Sequence, residues 1–286
     1  MTLRPRRSWL FVPGADAAAH EAAARSGADV LIQELEDFTP PERRPEARAK
    51  AAVLYDRWRR AGKTAAVRVN PLEACGREDL AAVLKGRPDI VLMPKVVSPD
   101  QVRALEQATA GAFDLVPNVE TAAGLLNAFL IGTASKKTIA MLVASEDMVA
   151  DLGTSRSRGG EELAYVRARF LVECRAAGVE AIDCPYTFSD AKGAAADARY
   201  AKQLGYRMKS LIATQHADAI NKVFSVSAIE LKNARRIVES FEKARMEGKE
   251  RAKVDGKLVE VPIYSAAKRL LASAAHTPPP PRKKAR

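Results

Sequence analysis

Eight short runs of β-branched and other apolar residues recur along this chain, and longer stretches of helical pattern separate them. The runs are SWLFV (8–12), DVLIQEL (29–35), TAAVRVN (64–70), DIVLMPKV (89–96), FDLVPNV (113–119), TIAMLVA (138–144), EAIDCPY (180–186) and MKSLIAT (208–214). Helical stretches between them include the Ala-rich 15–26, then 159–178 and 189–204. Strand followed by helix, repeated, is the pattern of parallel βα units. The runs are continuously apolar rather than alternating, as in strands buried on both faces. Eight such units in 286 residues predict a closed (β/α)8 TIM barrel rather than an open doubly wound sheet. The dinucleotide-binding alternative is weakened at the first run. That run ends in Val12-Pro13-Gly14-Ala15-Asp16, without the spacing of a GxGxxG turn.

Beyond the eighth run the pattern changes. A helix is expected over about 227–248, and Asp255-Gly256 between Lys253-Val254 and Lys257–Val261 predicts a tight hairpin. A further helix is expected to start just after Pro262. The predicted organisation is a catalytic barrel over 1–225 and a helix-and-hairpin extension over 226–275 that packs on the barrel or a neighbouring subunit. A basic tail over 276–286 follows. That tail, with four consecutive prolines and then Arg282, Lys283, Lys284 and Arg286, cannot build a core and is expected to be disordered.

The formal net charge is +11, and part of it sits in that tail. A basic chain can bind nucleic acid, but no nucleic-acid motif or aromatic interleaving accompanies the charge. An anionic small molecule, such as a phosphate-bearing acyl-coenzyme A, is the partner class that remains beside a basic surface of no specific role. No run of about 18 uncharged apolar residues occurs, so no membrane-spanning helix is expected. The apolar run Trp9–Val12 is too short for a secretory signal, and a cytoplasmic protein is expected. Cys75, Cys174 and Cys184 lack metal-type spacing and read as small buried hydrophobes.

In a barrel of this kind, polar residues at the C-terminal ends of the strands read as active-site candidates. They recur here run after run: Glu34, Glu36 and Asp37; Arg68 and Asn70; Lys95; Asn118 and Glu120; Glu146 and Asp147; Asp183 and Tyr186. Clustered carboxylates repel one another unless a cation intervenes, and oxygen ligands select magnesium or manganese. Two protein carboxylates would leave most of an octahedral shell to water and substrate, as Lewis-acid catalysis requires. Arg68 is suited to a substrate carboxylate through its planar fork. The competing reading is helix capping, for Asp37 ahead of Thr39-Pro40 and Glu120 ahead of Thr121. His20, His216 and His276 form no HxH or HExxH pair, which argues against a zinc hydrolase, and His216 is expected to face solvent at a helix start.

With the strand ends laid out, the chain resembles the HpcH/HpaI aldolase and citrate lyase β-subunit superfamily over roughly residues 6–272. The likeness rests on RSWLFVPG (7–14), ELED (34–37), VRVNP (67–71), MPKV (93–96), NVETAAG (118–124), ASEDMVADLG (144–153), AIDCPYTFSD (181–190) and NKVFSVS (221–227). The resemblance implies Mg2+ (with Mn2+ as an alternative) held by Glu120 and Asp147, and a substrate carboxyl or keto group met by Arg68. Pro13, Lys95 and Asn118 are the further candidates for substrate binding. It also implies a homo-oligomer, a trimer or hexamer. The activity it implies is cleavage of a citryl-, malyl- or citramalyl-like 3-hydroxyacyl-CoA into an acyl-CoA and a 2-oxo acid.

A thioesterase on the same scaffold, an aldolase for free hydroxy-keto acids and a non-catalytic CoA- or metal-binding subunit are the alternatives. Asp255, Gly256, Glu260 and Pro262 resemble the C-terminal pattern of the CoA-ester branch, which presents an acidic residue to a neighbouring subunit. Glu260 is therefore the candidate proton carrier, and Glu36, in the shell around the metal pair, joins Arg68 and Glu260 as a catalytic candidate. The chain departs from the usual motifs at Glu34, Ala144-Ser145, Ile212-Ala213-Thr214 and Glu260. At Ala213 the departure removes a histidine.

Overall fold

The computed structural model describes residues 6–275, so the expected 276–286 tail lies outside the described residues. The chain divides into two compact units, Arg6–Phe224 and the part from Ser225 onward. In the first unit eight parallel strands pair in sequence order. They are β1 (Ser8–Pro13), β2 (Val30–Glu34), β3 (Thr64–Arg68), β4 (Ile90–Met93), β5 (Asp114–Val119), β6 (Ala140–Val143), β7 (Glu180–Asp183) and β8 (Met208–Leu211). β8 pairs back onto β1 through Ser8–Lys209, Trp9–Ser210 and Leu10–Leu211, which closes the barrel.

The two-sided burial predicted for the strands has a direct cause. Successive side chains alternate faces. Trp9, Phe11, Val30, Ile32, Ala66, Leu92, Val116, Leu142 and Ile182 fill the barrel interior. Leu10, Val12, Leu31, Val67, Val91, Met141 and Leu211 meet the surrounding helices. Each fully buried aliphatic side chain contributes roughly 1.5–3 kcal/mol, so the barrel is a packed core rather than a pore.

Most strands are shorter than the apolar runs. β4 stops at Met93, because Pro94 has no N–H to extend the ladder and Lys95 takes a left-handed φ of 55°. β8 stops at Leu211, and Ala213 then leads into the short turn Thr214–His216. That turn carries His216 inward, correcting the solvent-facing expectation. The ring is 1% exposed, packs edge-on to Tyr186, and places Nε2 3.1 Å from the Ser189 carbonyl.

Asp183 also departs from expectation. As the last residue of β7 it shares the outward parity of Ala181, and it points into the helical layer rather than the barrel mouth. There Arg167 donates to both its oxygens at 2.9 and 2.7 Å, and Lys209 Nζ donates at 2.6 Å. Asp197 completes a buried set of two cations and two carboxylates by pairing with Arg167 and Lys209. Such a closed set holds strands and helices in register, and removing one member leaves an uncompensated buried charge. Asn70 is structural too: its amide donates to the Leu35 carbonyl and to buried Asp79. Cys174 and Cys184 are buried, with burial raising both thiols (Cys184 to about 12), and Cys75 is half-buried.

The second unit begins its helix Ala228–Met246 with a capping box, in which Ser227 and Glu230 each accept the other's backbone N–H. The hairpin joins β9 (Ala252–Val254) to β10 (Lys257–Val259) through Asp255 and Gly256, both at positive φ. The last helix starts at Val261, one residue ahead of Pro262. Phe241, Ala244, Ala252 and Val259 form this unit's own small core, with Tyr264 stacked on Phe241 at 4.6 Å. No helix among the described residues is long and apolar enough to cross a membrane.

Candidate active site

The C-terminal end of the barrel is organised by β2, β3 and β5. Glu34 and Arg68 sit directly across from each other in the β2–β3 register, with inward parity, so their side chains meet. Arg68 Nε donates to Glu34 Oε1 at 2.9 Å. Its terminal nitrogens approach Glu36 Oε2 at 3.1 Å and Glu120 Oε1 at 3.4 Å. The guanidinium also lies over the Phe11 ring, 4.8 Å from the centroid. Surrounded by carboxylates, Arg68 is locked in its charged form.

Glu34 holds the following loop as well as Arg68. Its two oxygens accept the backbone N–H groups of Glu36 at 2.7 Å and Phe38 at 2.5 Å. Thr39 Oγ1 bridges from the Glu34 carbonyl to the N–H of Gly14. Gly14 tolerates no side chain here: a Cβ would come within 2.6 Å of the Glu34 carbonyl oxygen. The VPG and ELED motifs therefore meet backbone to backbone. Pro13 stands in register with Glu34, at the rim of the site.

Glu120 follows β5 and is fully buried. It is no helix cap, since Thr121 caps the helix Ala122–Leu126. Burial, outweighing the attraction of Arg68, raises its carboxyl to about 8, and the nearby charges of Asp147 and Glu36 push the same way. Its Oε2 accepts the Lys95 backbone N–H at 3.1 Å. Lys95 holds a backbone conformation that costs on the order of 1 kcal/mol in a residue with a side chain. That conformation aims its N–H at Glu120 while its Nζ donates to Glu36. Burial raises the Glu36 carboxyl despite Arg68 and Lys95.

Asp147 lies half-buried in the first turn of the helix Glu146–Asp151, near enough to Glu120 to raise its affinity for a proton. The buried Asn118 side chain stands beside Glu120, with Nδ2 3.5 Å from Oε1, and its Oδ1 has no hydrogen-bond partner. No cluster of three or more His, Cys, Asp or Glu side chains suited to a metal occurs among the described residues. The chain therefore supplies a two-carboxylate site, with a desolvated acid at Glu120 and an unpartnered amide oxygen next to it. This donor set fits a hard divalent ion that keeps most of its shell for water and substrate.

Of the sequence-derived candidates, the structure brings Arg68, Glu34, Glu36, Asp37, Lys95, Asn118, Glu120 and Asp147 to one place. Glu260 belongs to the second unit, where it is half-exposed and pairs with Arg251 at 3.3 Å. Phe11 lies inside RSWLFVPG and Phe38 directly follows ELED, where apolar residues carry no sequence signal that separates them from core. Their rings meet edge-on at 6.4 Å beside Arg68, and Phe38 is 39% exposed.

A profile of HpcH/HpaI aldolase/citrate lyase matches residues 7–214. The chain belongs to the HpcH/HpaI aldolase/citrate lyase family. Its activity class is accordingly that of a carbon–carbon lyase. Citrate lyase subunit beta of Escherichia coli strain K12 is 34% identical over 95% of this chain and 94% of its own length. A (3S)-malyl-CoA thioesterase of Cereibacter sphaeroides (strain ATCC 17025 / ATH 2.4.3) is 33% identical over 94% of this chain and 95% of its own. The solved CitE from Mycobacterium tuberculosis, in complex with magnesium, acetoacetate and coenzyme A, superimposes with a TM-score of 0.77 at 27% identity. That match covers 96% of this chain and 100% of the CitE chain. Within the family, the departure at Glu34 leaves a carboxylate that reaches two backbone N–H groups and Arg68 together.

The raised Glu120 carboxyl has a measurable consequence. With its carboxyl raised to about 8, Glu120 would have to give up a proton below that pH to any cation it held. Mg2+ affinity measured by calorimetry should therefore fall as pH drops from 8.5 to 6.5, on the order of 10-fold or more, with proton release on binding. A flat profile would show that Glu120 is already ionised.

Proposed function

We propose that this protein is a Mg2+-dependent CoA-ester lyase that cleaves a carboxylated 3-hydroxyacyl-CoA into an acyl-CoA and a 2-oxo acid. The observation that carries the reading is the fully buried Glu120 beside Asp147, bracketed by Arg68 and the Lys95 N–H. Glu120 and Asp147 would hold the cation, Mg2+ or Mn2+, which when bound lowers the pKa of a substrate hydroxyl and steadies negative charge on oxygen. Support for magnesium and coenzyme A comes from the solved CitE complex.

The chain's own groups take the remaining roles. Arg68 donates to Glu34 and Glu120 and forms ion pairs with Glu36 and Asp37, and its remaining N–H groups can meet a carboxylate or keto oxygen. Lys95 Nζ, nearly half-exposed, lies at the rim where it can meet the same anion. Asn118 offers its free amide oxygen to a substrate hydroxyl. In cleavage the hydroxyl proton leaves and the bond between the hydroxyl carbon and its CH2 neighbour breaks. The electron pair moves onto the carbon next to the thioester, which then takes a proton. Glu36, held protonatable by burial, and Glu260 from a neighbouring copy in a homotrimer or hexamer are the proposed proton carriers.

Incubation with Mg2+ and a panel of hydroxyacyl-CoAs, read by mass, should give an acyl-CoA and a 2-oxo acid in equal amounts. A second reading, hydrolysis of the thioester, is favoured by the likeness to the malyl-CoA thioesterase. It would appear as free coenzyme A, detected by thiol titration.

A further inference from the structure

Asp147 rides on a helix of only six residues, Glu146–Asp151, whose inner side buries Met148 and Val149. A helix that short has almost no stability of its own, so contacts with its surroundings decide where it lies. The backbone ties the segment ahead of it to β5, through the Ala144 N–H and the Val119 carbonyl at 3.0 Å. Beyond that point a side chain makes the link back to the β5 side. Asp151 Oδ2 accepts the Ala122 backbone N–H at 2.7 Å.

Both ends of that bond are specifically placed. Ala122 is the first residue of the helix Ala122–Leu126, where a backbone N–H has no partner within its own helix. Thr121 caps the Gly124 N–H at 3.1 Å, so the two side chains satisfy different donors. Ala122 also lies two residues beyond Glu120. Asp151 in turn lies four residues beyond Asp147, so both carboxylates leave the same side of their helix. On that helix the position is unfavourable twice over. Asp151 repels Asp147, and it stands at the negative end of the helix dipole. The N-terminus of Ala122–Leu126 supplies the opposing positive end.

The helix that receives Asp151 is itself firmly seated. A Cβ on Gly124 would come within 2.6 Å of the Val96 carbonyl oxygen, and Asn127 Nδ2 donates to the Val97 carbonyl at 2.8 Å. This is the segment whose Lys95 N–H donates to Glu120. Asp151 therefore ties the Asp147 helix to the same frame that holds Glu120. At its other end the helix is tied by Arg156, which pairs with Glu146 and with Glu162.

Resting on the reading of Glu120 and Asp147 as the metal pair, we infer that Asp151 is a positioning residue. Its bond to the Ala122 N–H sets the reach of Asp147 toward an ion shared with Glu120. The role belongs to the hydrogen bond and not to the negative charge.

The test is calorimetric titration of the full chain with Mg2+, beside the metal-free thermal midpoint, for Asp151→Ala and Asp151→Asn. Alanine leaves the Ala122 N–H without its acceptor, whereas the asparagine oxygen can still accept it without carrying charge. Asp151→Ala should weaken Mg2+ binding about 10-fold, the usual effect of removing a group that orients a metal ligand. Asp151→Asn should bind Mg2+ within about 3-fold of the unmodified protein, since asparagine serves as well as aspartate at a helix start. Because Asp151 is exposed, the metal-free midpoint of both variants should stay close to that of the unmodified protein. Asparagine as weak as alanine would show that the charge attracts the ion through space, and overturns the inference. Unchanged affinity in Asp151→Ala overturns it, as does a loss matched by a lowered midpoint, which would make the residue a support of the fold alone. If the unmodified protein binds no Mg2+, the metal reading fails and takes this inference with it. If Mg2+ binds but no thioester is cleaved, the lyase reading alone fails, and the two variants still decide the role of Asp151.

Discussion

Replacing Glu120 or Asp147 with alanine is expected to remove Mg2+ binding and lower carbon–carbon cleavage by on the order of 1000-fold or more, because each is one of the two carboxylates proposed to hold the ion. The two variants should differ in stability. Burial makes ionisation of Glu120 unfavourable despite Arg68 and Lys95, so the metal-free fold bears a cost that builds up as pH rises from the ordinary carboxylate value of 4.5 to about 8 and is fully present above it. Glu120→Gln removes that cost while keeping the shape. At pH 8.5 its thermal midpoint without metal should equal or exceed that of the unmodified protein, while the Mg2+-induced shift disappears. Asp147 is half-buried at a helix start, and Asp147→Asn should change the midpoint little. Near-normal turnover in either alanine variant would remove the pair from the mechanism.

The second large effect falls on Arg68. Arg68→Lys conserves charge but not the fork that engages Glu34, Glu36 and Glu120 together, nor the flat group that covers Phe11. A loss of about 100- to 1000-fold in kcat/KM is expected, comparable to removing one oriented oxyanion donor. The loss should appear in binding of the 2-oxo acid as well as in turnover, since the remaining N–H groups of Arg68 are the proposed anion contact. Arg68→Met should also unfold at lower temperature, because three buried carboxylates lose their shared cation. Arg68→Lys with an unchanged affinity for pyruvate would place the substrate carboxylate elsewhere.

The barrel was legible because its strands are apolar on both faces, and two-sided burial leaves a continuous signal in the sequence. Strand ends were less so. At β4 the apolar run continues past Met93, but Pro94 and the left-handed Lys95 end the ladder to deliver an N–H to Glu120. Strand-end position alone put Asp183 and Glu120 in one class, and parity separates them. Asp183 faces outward onto Arg167 and Lys209, ions that lie 16 and 26 residues away along the chain and carry no local motif. His216 looked like a solvent-facing helix start, yet a short turn buries it against Tyr186. Phe11 and Phe38 were invisible as site residues, since the contact that gives them meaning is an ion above one ring and an edge against the other.

The most direct test of the account is cleavage in D2O. With Mg2+ present, a hydroxyacyl-CoA substrate should yield an acyl-CoA carrying one deuterium at the carbon released from the broken bond, together with one equivalent of 2-oxo acid. Both products should vanish after chelation and in Asp147→Ala. Release of the intact hydroxy acid with free coenzyme A, and no deuterium on carbon, would show a thioester hydrolase and contradict carbon–carbon cleavage at Glu120 and Asp147.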